Sequence, residues 1–220
     1  MNVKMNAGLG RCQGTARLLV KPVQPVIALG ASPDVLTKVL NAVHHTNRHS
    51  SLDDFIAVAL PEMDMGRDRM LPGHEIELIG TENVLSQFQR LEGMLTLQRR
   101  SMLQPLKIEE TFYDVGEIGA AYVRDRIFEK RTPGWLQRSK MRAERRGKPW
   151  KENAREVKAE KMFVLKLNYG NVVLFIREIR LELKDVPLFV STYGFSSART
   201  GHQAVLPVWP KGGKKIYDEE

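Results

Sequence analysis

Apolar positions along the chain alternate between a period of two and a period near 3.6, and the switches between them predict the elements. An apolar run over residues 17–20 is followed by Pro22 and Pro25. It predicts an edge strand, because proline cannot donate to a sheet ladder. Ser32-Pro33-Asp34 has the chemistry of a helix start. Ser32 serves as N-cap, Pro33 suits the first turn, and Asp34 lies near the positive end of the dipole. Val35, Leu36, Val39, Leu40 and Val43 then form one apolar stripe at helical spacing, with His44, His45 and His49 towards the helix end. Residues 55–60 (FIAVAL) read as a strand, and residues 74–79 (HEIELI) alternate as a half-buried strand does. A second helix is predicted over 81–91, with Val84, Leu85, Phe88 and Leu91 on one face, and a fourth strand over 103–108. The order β-α-β-β-α-β is the ferredoxin-like pattern, whose sheet RNA-recognition modules use.

The second half is patterned differently. Residues 121–128 read as extended; Thr132-Pro133-Gly134 breaks that run and opens a helix, which Gly147 and Pro149 close. Residues 162–167 (MFVLKL) and 172–177 (VVLFIR) flank Asn168-Tyr169-Gly170-Asn171, a β-hairpin signal. Residues 188–194 and 204–209 read as further strands, and the Gly- and charge-rich stretch 211–220 as a disordered tail. The predicted class is α+β. A tail over 1–15 precedes a ferredoxin-like, RNA-recognition-like N-terminal domain over 16–115. A C-terminal half over 116–210 carries an arginine-rich helix and β-hairpin strands.

Charge changes this picture most. The chain of 220 residues has a net charge of +8. From Arg124 to Lys161 there are fourteen Lys/Arg and six Asp/Glu, so this one segment carries the whole surplus. Within it, WLQRSKMRAERRGK holds six cations and a single acid, Glu144. Over 151–161, Glu152, Glu156 and Glu160 alternate with cations as on a solvated helix face. The half containing Arg138, Lys140, Arg142, Arg145 and Arg146 has no such balance. A localised cationic element is the footprint of a polyanion, because each neutralised phosphate releases counterions.

Composition removes several classes. No apolar run reaches membrane-spanning length, and the first residues lack the apolar core of a secretory signal. Cys12, the one cysteine, falls in the expected N-terminal tail, so disulfides and thiolate metal sites do not organise the fold, and a reducing cytoplasm is expected. Gly-rich phosphate loops are absent. Glu62, Asp64 and Asp68 read as solvated loop acids rather than a metal site, and His74 and His202 lack partners at ligand spacing. Trp135 and Trp150 flank the basic helix, placed either to stack on bases or to anchor it.

Several of these pieces occur in the same order in one family. They are the helix ending Val43-His44-His45, then Leu60-Pro61-Glu62-Met63-Asp64, the arginine-rich helix, Leu174-Phe175-Ile176-Arg177, and Ser191-Thr192-Tyr193-Gly194-Phe195. In this the chain resembles the CRISPR-associated pre-crRNA processing endoribonucleases of the type I-F kind; a type I-F complex or a variant of it, a plasmid-borne type IV complex and a transposon-associated complex would all accept such a subunit. The resemblance implies metal-independent cleavage at the 3′ foot of a repeat hairpin, with no cofactor. A ribose 2′-hydroxyl attacks the adjacent phosphate and leaves a 2′,3′-cyclic phosphate. It implies retention of the hairpin within a crRNA-guided complex, with that complex's other subunits and, through it, target DNA as partners. Its catalytic histidine registers on His45, with His44 one step away. Its strand tyrosine registers on Tyr193, and its ribose-contacting serine on Asn168. Its groove-binding helix is matched in character, with partial register, by Arg138, Arg142, Arg145 and Arg146, and its base-reading linker arginine by Arg126; Lys130, Arg131 and Lys140 are expected to bind RNA beside them. Phe128 stands where the family has a glutamine, which implies a different repeat sequence. Two other readings fit the charge: a non-cleaving hairpin-binding cap, and another basic nucleic-acid-binding protein.

Overall fold

The computed structural model describes residues 8–67, 69–111, 114–125, 133–150, 164–169, 172–196 and 203–207. From the N-terminus the elements are β1 (Leu9–Cys12), β2 (Ala16–Val20), α1 (Gln24–Ala28), α2 (Ser32–His49), β3 (Ala57–Ala59), β4 (Asp64–Met65), β5 (Met70–Leu71), β6 (Ile76–Gly80), α3 (Glu82–Gln89), α4 (Glu92–Arg99), β7 (Ile108–Glu110), β8 (Ile118–Arg124), α5 (Pro133–Arg145), β9 (Leu165–Tyr169), β10 (Val172–Glu182), β11 (Leu188–Ser191) and β12 (Leu206–Pro207). The fold is mixed α+β, built on antiparallel sheets. No helix among the described residues is long and apolar enough to cross a membrane.

One four-stranded sheet has the order β3-β6-β2-β7, with every neighbouring pair antiparallel. The run over 17–20, expected at an edge, is an inner strand between β6 and β7. Pro22 lies beyond the last paired residue, so its missing N–H costs the ladder nothing, and it forms an isolated bridge to Leu103. The fourth strand begins at Ile108 rather than 103, after Pro105, which has no N–H to give.

The stripe Val35, Leu36, Val39, Leu40 and Val43 is buried along one face of α2, as its spacing requires. Burying each such side chain contributes about 1.5–3 kcal/mol before entropy is counted. Ser32 is not the N-cap; Ala31 is, without a side-chain bond. The Ser32 hydroxyl instead meets His74 Nδ1 at 3.1 Å. Thr81 does cap α3, accepting from the Val84 N–H at 3.2 Å. The helix predicted over 81–91 stops at Gln89, and α4 follows; it buries Met94 and Leu97.

The second sheet has the order β12-β8-β10-β9, with β9 and β10 pairing as a hairpin in which Tyr169 faces Val172. A separate two-stranded sheet of β1 and β11 was not foreseen. Residues 9–12, assigned to a tail, form β1 and pair with β11, Cys12 opposite Leu188. Cys12 is therefore buried, and burial pushes its thiol up to about 12, which rules out a thiolate nucleophile at neutral pH.

The two sheets share one continuous apolar core, in which Leu165, Leu174, Val190 and Phe195 join the stripe of α2. Tyr122 of β8 donates its hydroxyl to the Leu60 carbonyl at 3.1 Å. β8 packs beside β3, so β6 is covered on both faces and is not half-buried as expected. Glu77, at 3% exposure, is tolerated there because the Arg17 guanidinium lies 3.6 Å away.

Candidate active site

Successive residues on a helix turn by about 100°, so at the end of α2 His44 points away from His45, while His45 and His49, four residues apart, share a face. Val43 is fully buried, His44 half-buried and His45 exposed. The His45 ring lies against His49, centroids 4.5 Å apart and tilted by 39°. His44 lies at the margin of the buried face.

The partner of His44 comes from the turn that follows β11. Ser191 accepts from the Gly194 N–H at 2.8 Å, and its own N–H donates to the Phe195 carbonyl at 2.9 Å. The Val58 N–H donates to the Gly194 carbonyl at 2.9 Å, which ties the turn to β3. Gly194 has φ +79, and a Cβ there would stand 2.5 Å from Val58 Cγ2 and 3.1 Å from the Ile56 carbonyl oxygen. Glycine is thus required twice, for the left-handed backbone and for the close approach.

This docking lays the Tyr193 ring flat on His44, with centroids 4.3 Å apart and planes within 7°. The guanidinium of Arg124, the last residue of β8, sits 5.3 Å from the centre of the Tyr193 ring. Tyr193 thus links two further chain segments, stacking on His44 of α2 and lying under the cation of Arg124 from β8.

The Thr192 carbonyl oxygen lies 3.3 Å from His44 Nδ1. A carbonyl only accepts, so Nδ1 carries the hydrogen and, in the neutral ring, Nε2 carries the lone pair. Burial lowers the His44 pKa below its ordinary 6.5; the bond to Thr192 works the other way, and the charges of Arg48 and His45 add to the lowering. At neutral pH the ring is thus mainly the base form, with a defined tautomer. That arrangement can take a proton at Nε2.

The structure brings together Tyr193 and His44, not His45. Arg124 was missed as a site residue, although it opens the cationic segment at a predicted strand. Asn168 stands on β9 opposite Val173, and β9 packs beside α2; the Asn168 side chain lies outside the described residues. Arg126, Lys130, Arg131, Asp68 and His202 also lie outside them.

The basic helix forms as its sequence predicts. Arg138, Lys140, Arg142, Arg145 and Arg146 are all exposed, and α5 buries no residue. Gly147, with φ 62, ends it. Its N–H donates to the Glu144 carbonyl and that of Lys148 to the Ala143 carbonyl, both at 3.0 Å, a Schellman closure.

Among the described residues no group of three or more His, Cys, Asp or Glu is placed to hold a metal ion. Glu62 accepts from the His74 N–H at 2.7 Å, and Asp64 from the Met65 N–H at 2.8 Å.

No protein-family model matches the chain, and no curated protein matches it.

Proposed function

We propose that the protein is an endoribonuclease that cleaves a hairpin RNA by attack of its own ribose 2′-hydroxyl, with His44 as the general base. The observation that carries this reading is the juxtaposition of His44, Tyr193 and Arg124. Nε2 takes the proton of the 2′-hydroxyl, and the freed oxygen attacks the neighbouring phosphorus. The bond to the 5′-oxygen breaks, leaving a 2′,3′-cyclic phosphate on one product and a 5′-hydroxyl, protonated from solvent, on the other. Tyr193 fixes the plane of the imidazole, and Arg124 supplies positive charge for the phosphate. A base whose pKa lies somewhat under the working pH suits this step.

The resemblance to the type I-F repeat-processing enzymes supports the same reaction with the base registered on His45; the stacking of Tyr193 on His44 is what favours His44 instead. The antiparallel order β3-β6-β2-β7 agrees with a ferredoxin-like sheet. The exposed cations of α5 suit the phosphates of an RNA stem, whose deep major groove hides its base edges from most side chains. In this reading the substrate is a CRISPR repeat, and the processed hairpin stays bound as a subunit's share of a crRNA-guided complex in the cytoplasm.

The experiment is digestion of a repeat-type hairpin RNA in excess EDTA, with the new 3′ end analysed by mass spectrometry. A 2′,3′-cyclic phosphate is expected. Intact RNA that stays tightly bound would favour the non-cleaving cap, and no cleavage together with no hairpin binding would sink the proposal.

A further inference from the structure

The C-terminal end of α5 carries, besides its exposed cations, two tryptophans that phosphate contact alone does not use. Trp135, Ser139, Arg142 and Arg146 stand at spacings of four, three and four residues, so they share one stripe of the helix. The Schellman closure at Gly147 then turns Lys148, Pro149 and Trp150 back towards the last turn, and the rigid Pro149 limits where Trp150 can go. The result is a cleft of about 310 Å³ lined by Trp135, Ser139, Arg142, Arg146, Lys148 and Trp150.

Its chemistry is specific. Two half-buried indoles offer flat apolar faces, three cations stand at the walls, and no acid lines it. Arg142 is already oriented: its Nε donates to the Arg138 carbonyl at 3.1 Å, and its guanidinium sits 5.8 Å from the centre of the Trp135 ring. The volume is at the lower end of the range of about 300–1,000 Å³ found for small-ligand clefts. A base inside an A-form stem is stacked on both sides and has no face to give an indole. The ligand must therefore join a free aromatic face to a phosphate.

We infer that this cleft binds one unpaired nucleotide of the RNA, its base stacked on an indole and its phosphate held by Arg142, Arg146 and Lys148. The inference rests on the RNA-binding reading of α5 but not on cleavage. It gives the protein a means of telling a stem flanked by single strand from a bare one.

The test compares three RNAs by fluorescence anisotropy with the full chain: a blunt stem-loop, the same stem-loop with a single-stranded extension, and one whose extension is abasic. The abasic extension keeps the phosphates and removes the stacking. Wild-type protein should prefer the base-bearing extension to the abasic one by about 5- to 150-fold, the span of one base stacked on an aromatic ring. That ratio should fall to near one in Trp135→Ala and in Trp150→Ala, and return in part in Trp135→Phe and Trp150→Phe. A wild-type ratio near one overturns the inference without recourse to any variant, as does a ratio that both alanine variants leave intact. Failure of the blunt stem-loop to bind, with the preference for bases retained, would count against the hairpin reading and leave the cleft standing.

Discussion

Replacing Gly194 with alanine tests how the Tyr193 turn is held on α2. Two costs add. A left-handed backbone costs a residue with a Cβ about 1–2 kcal/mol. The new methyl would also meet Val58 Cγ2 at 2.5 Å and the Ile56 carbonyl oxygen at 3.1 Å. Val58 is fully buried and cannot swing away, so overpacking adds about 1–3 kcal/mol. Together these give about 2–5 kcal/mol, or a fall in Tm of about 4–20 °C for a chain of this size. Gly30→Ala is the matched control, because Gly30 has φ +70 but nothing within 4 Å of a built Cβ. It should cost the backbone share alone. If the turn relieves the clash by lifting away, Tyr193 leaves His44, and hairpin cleavage measured well below either Tm should fall by about 10- to 100-fold, as for a misplaced catalytic group. Thermal melts followed by circular dichroism, with single-turnover cleavage on the same samples, read both effects. A Gly194→Ala protein that melts with the Gly30→Ala control and cleaves like wild type would refute the reasoning.

Two other outcomes follow from the same geometry. The cleavage rate should rise with pH and level off by neutrality, with its midpoint below 6.5, because burial disfavours the imidazolium of His44 and the reaction needs the neutral ring; a midpoint above 6.5 would contradict the assignment. Arg142→Ala combined with Arg146→Ala should weaken hairpin binding and flatten its dependence on salt by about 1.4–1.8 units of log K per log salt, the share of two phosphate contacts; an unchanged slope argues against phosphate contact by α5.

What could be read from the chain followed the range of the physics involved. The stripe of α2 and the stop at Gly147 are set by residues within a turn or two, and the structure has each where the pattern put it. β1 was lost to the tail because its ladder partner among the described residues, β11, lies far along the chain. The burial of Glu77 was equally invisible, since it depends on β8 packing beside β3. Helix α4 is two turns long with Gly93 in its first turn, too short for a periodic signal. The choice between His44 and His45 has the same origin. A count along the chain from Leu60-Pro61 carries an error of one residue, and one residue on a helix is about 100° of rotation. What distinguishes the two rings is the arrival of Thr192 and Tyr193, on a turn held by Gly194, beside His44.

The most direct measurement is the single-turnover cleavage rate of hairpin RNA by His44→Ala beside His45→Ala, in EDTA, with binding affinity measured in parallel. Loss of cleavage in His44→Ala with affinity retained, and near wild-type cleavage in His45→Ala, is the predicted result. Normal cleavage by His44→Ala, or its loss in His45→Ala alone, would contradict the account.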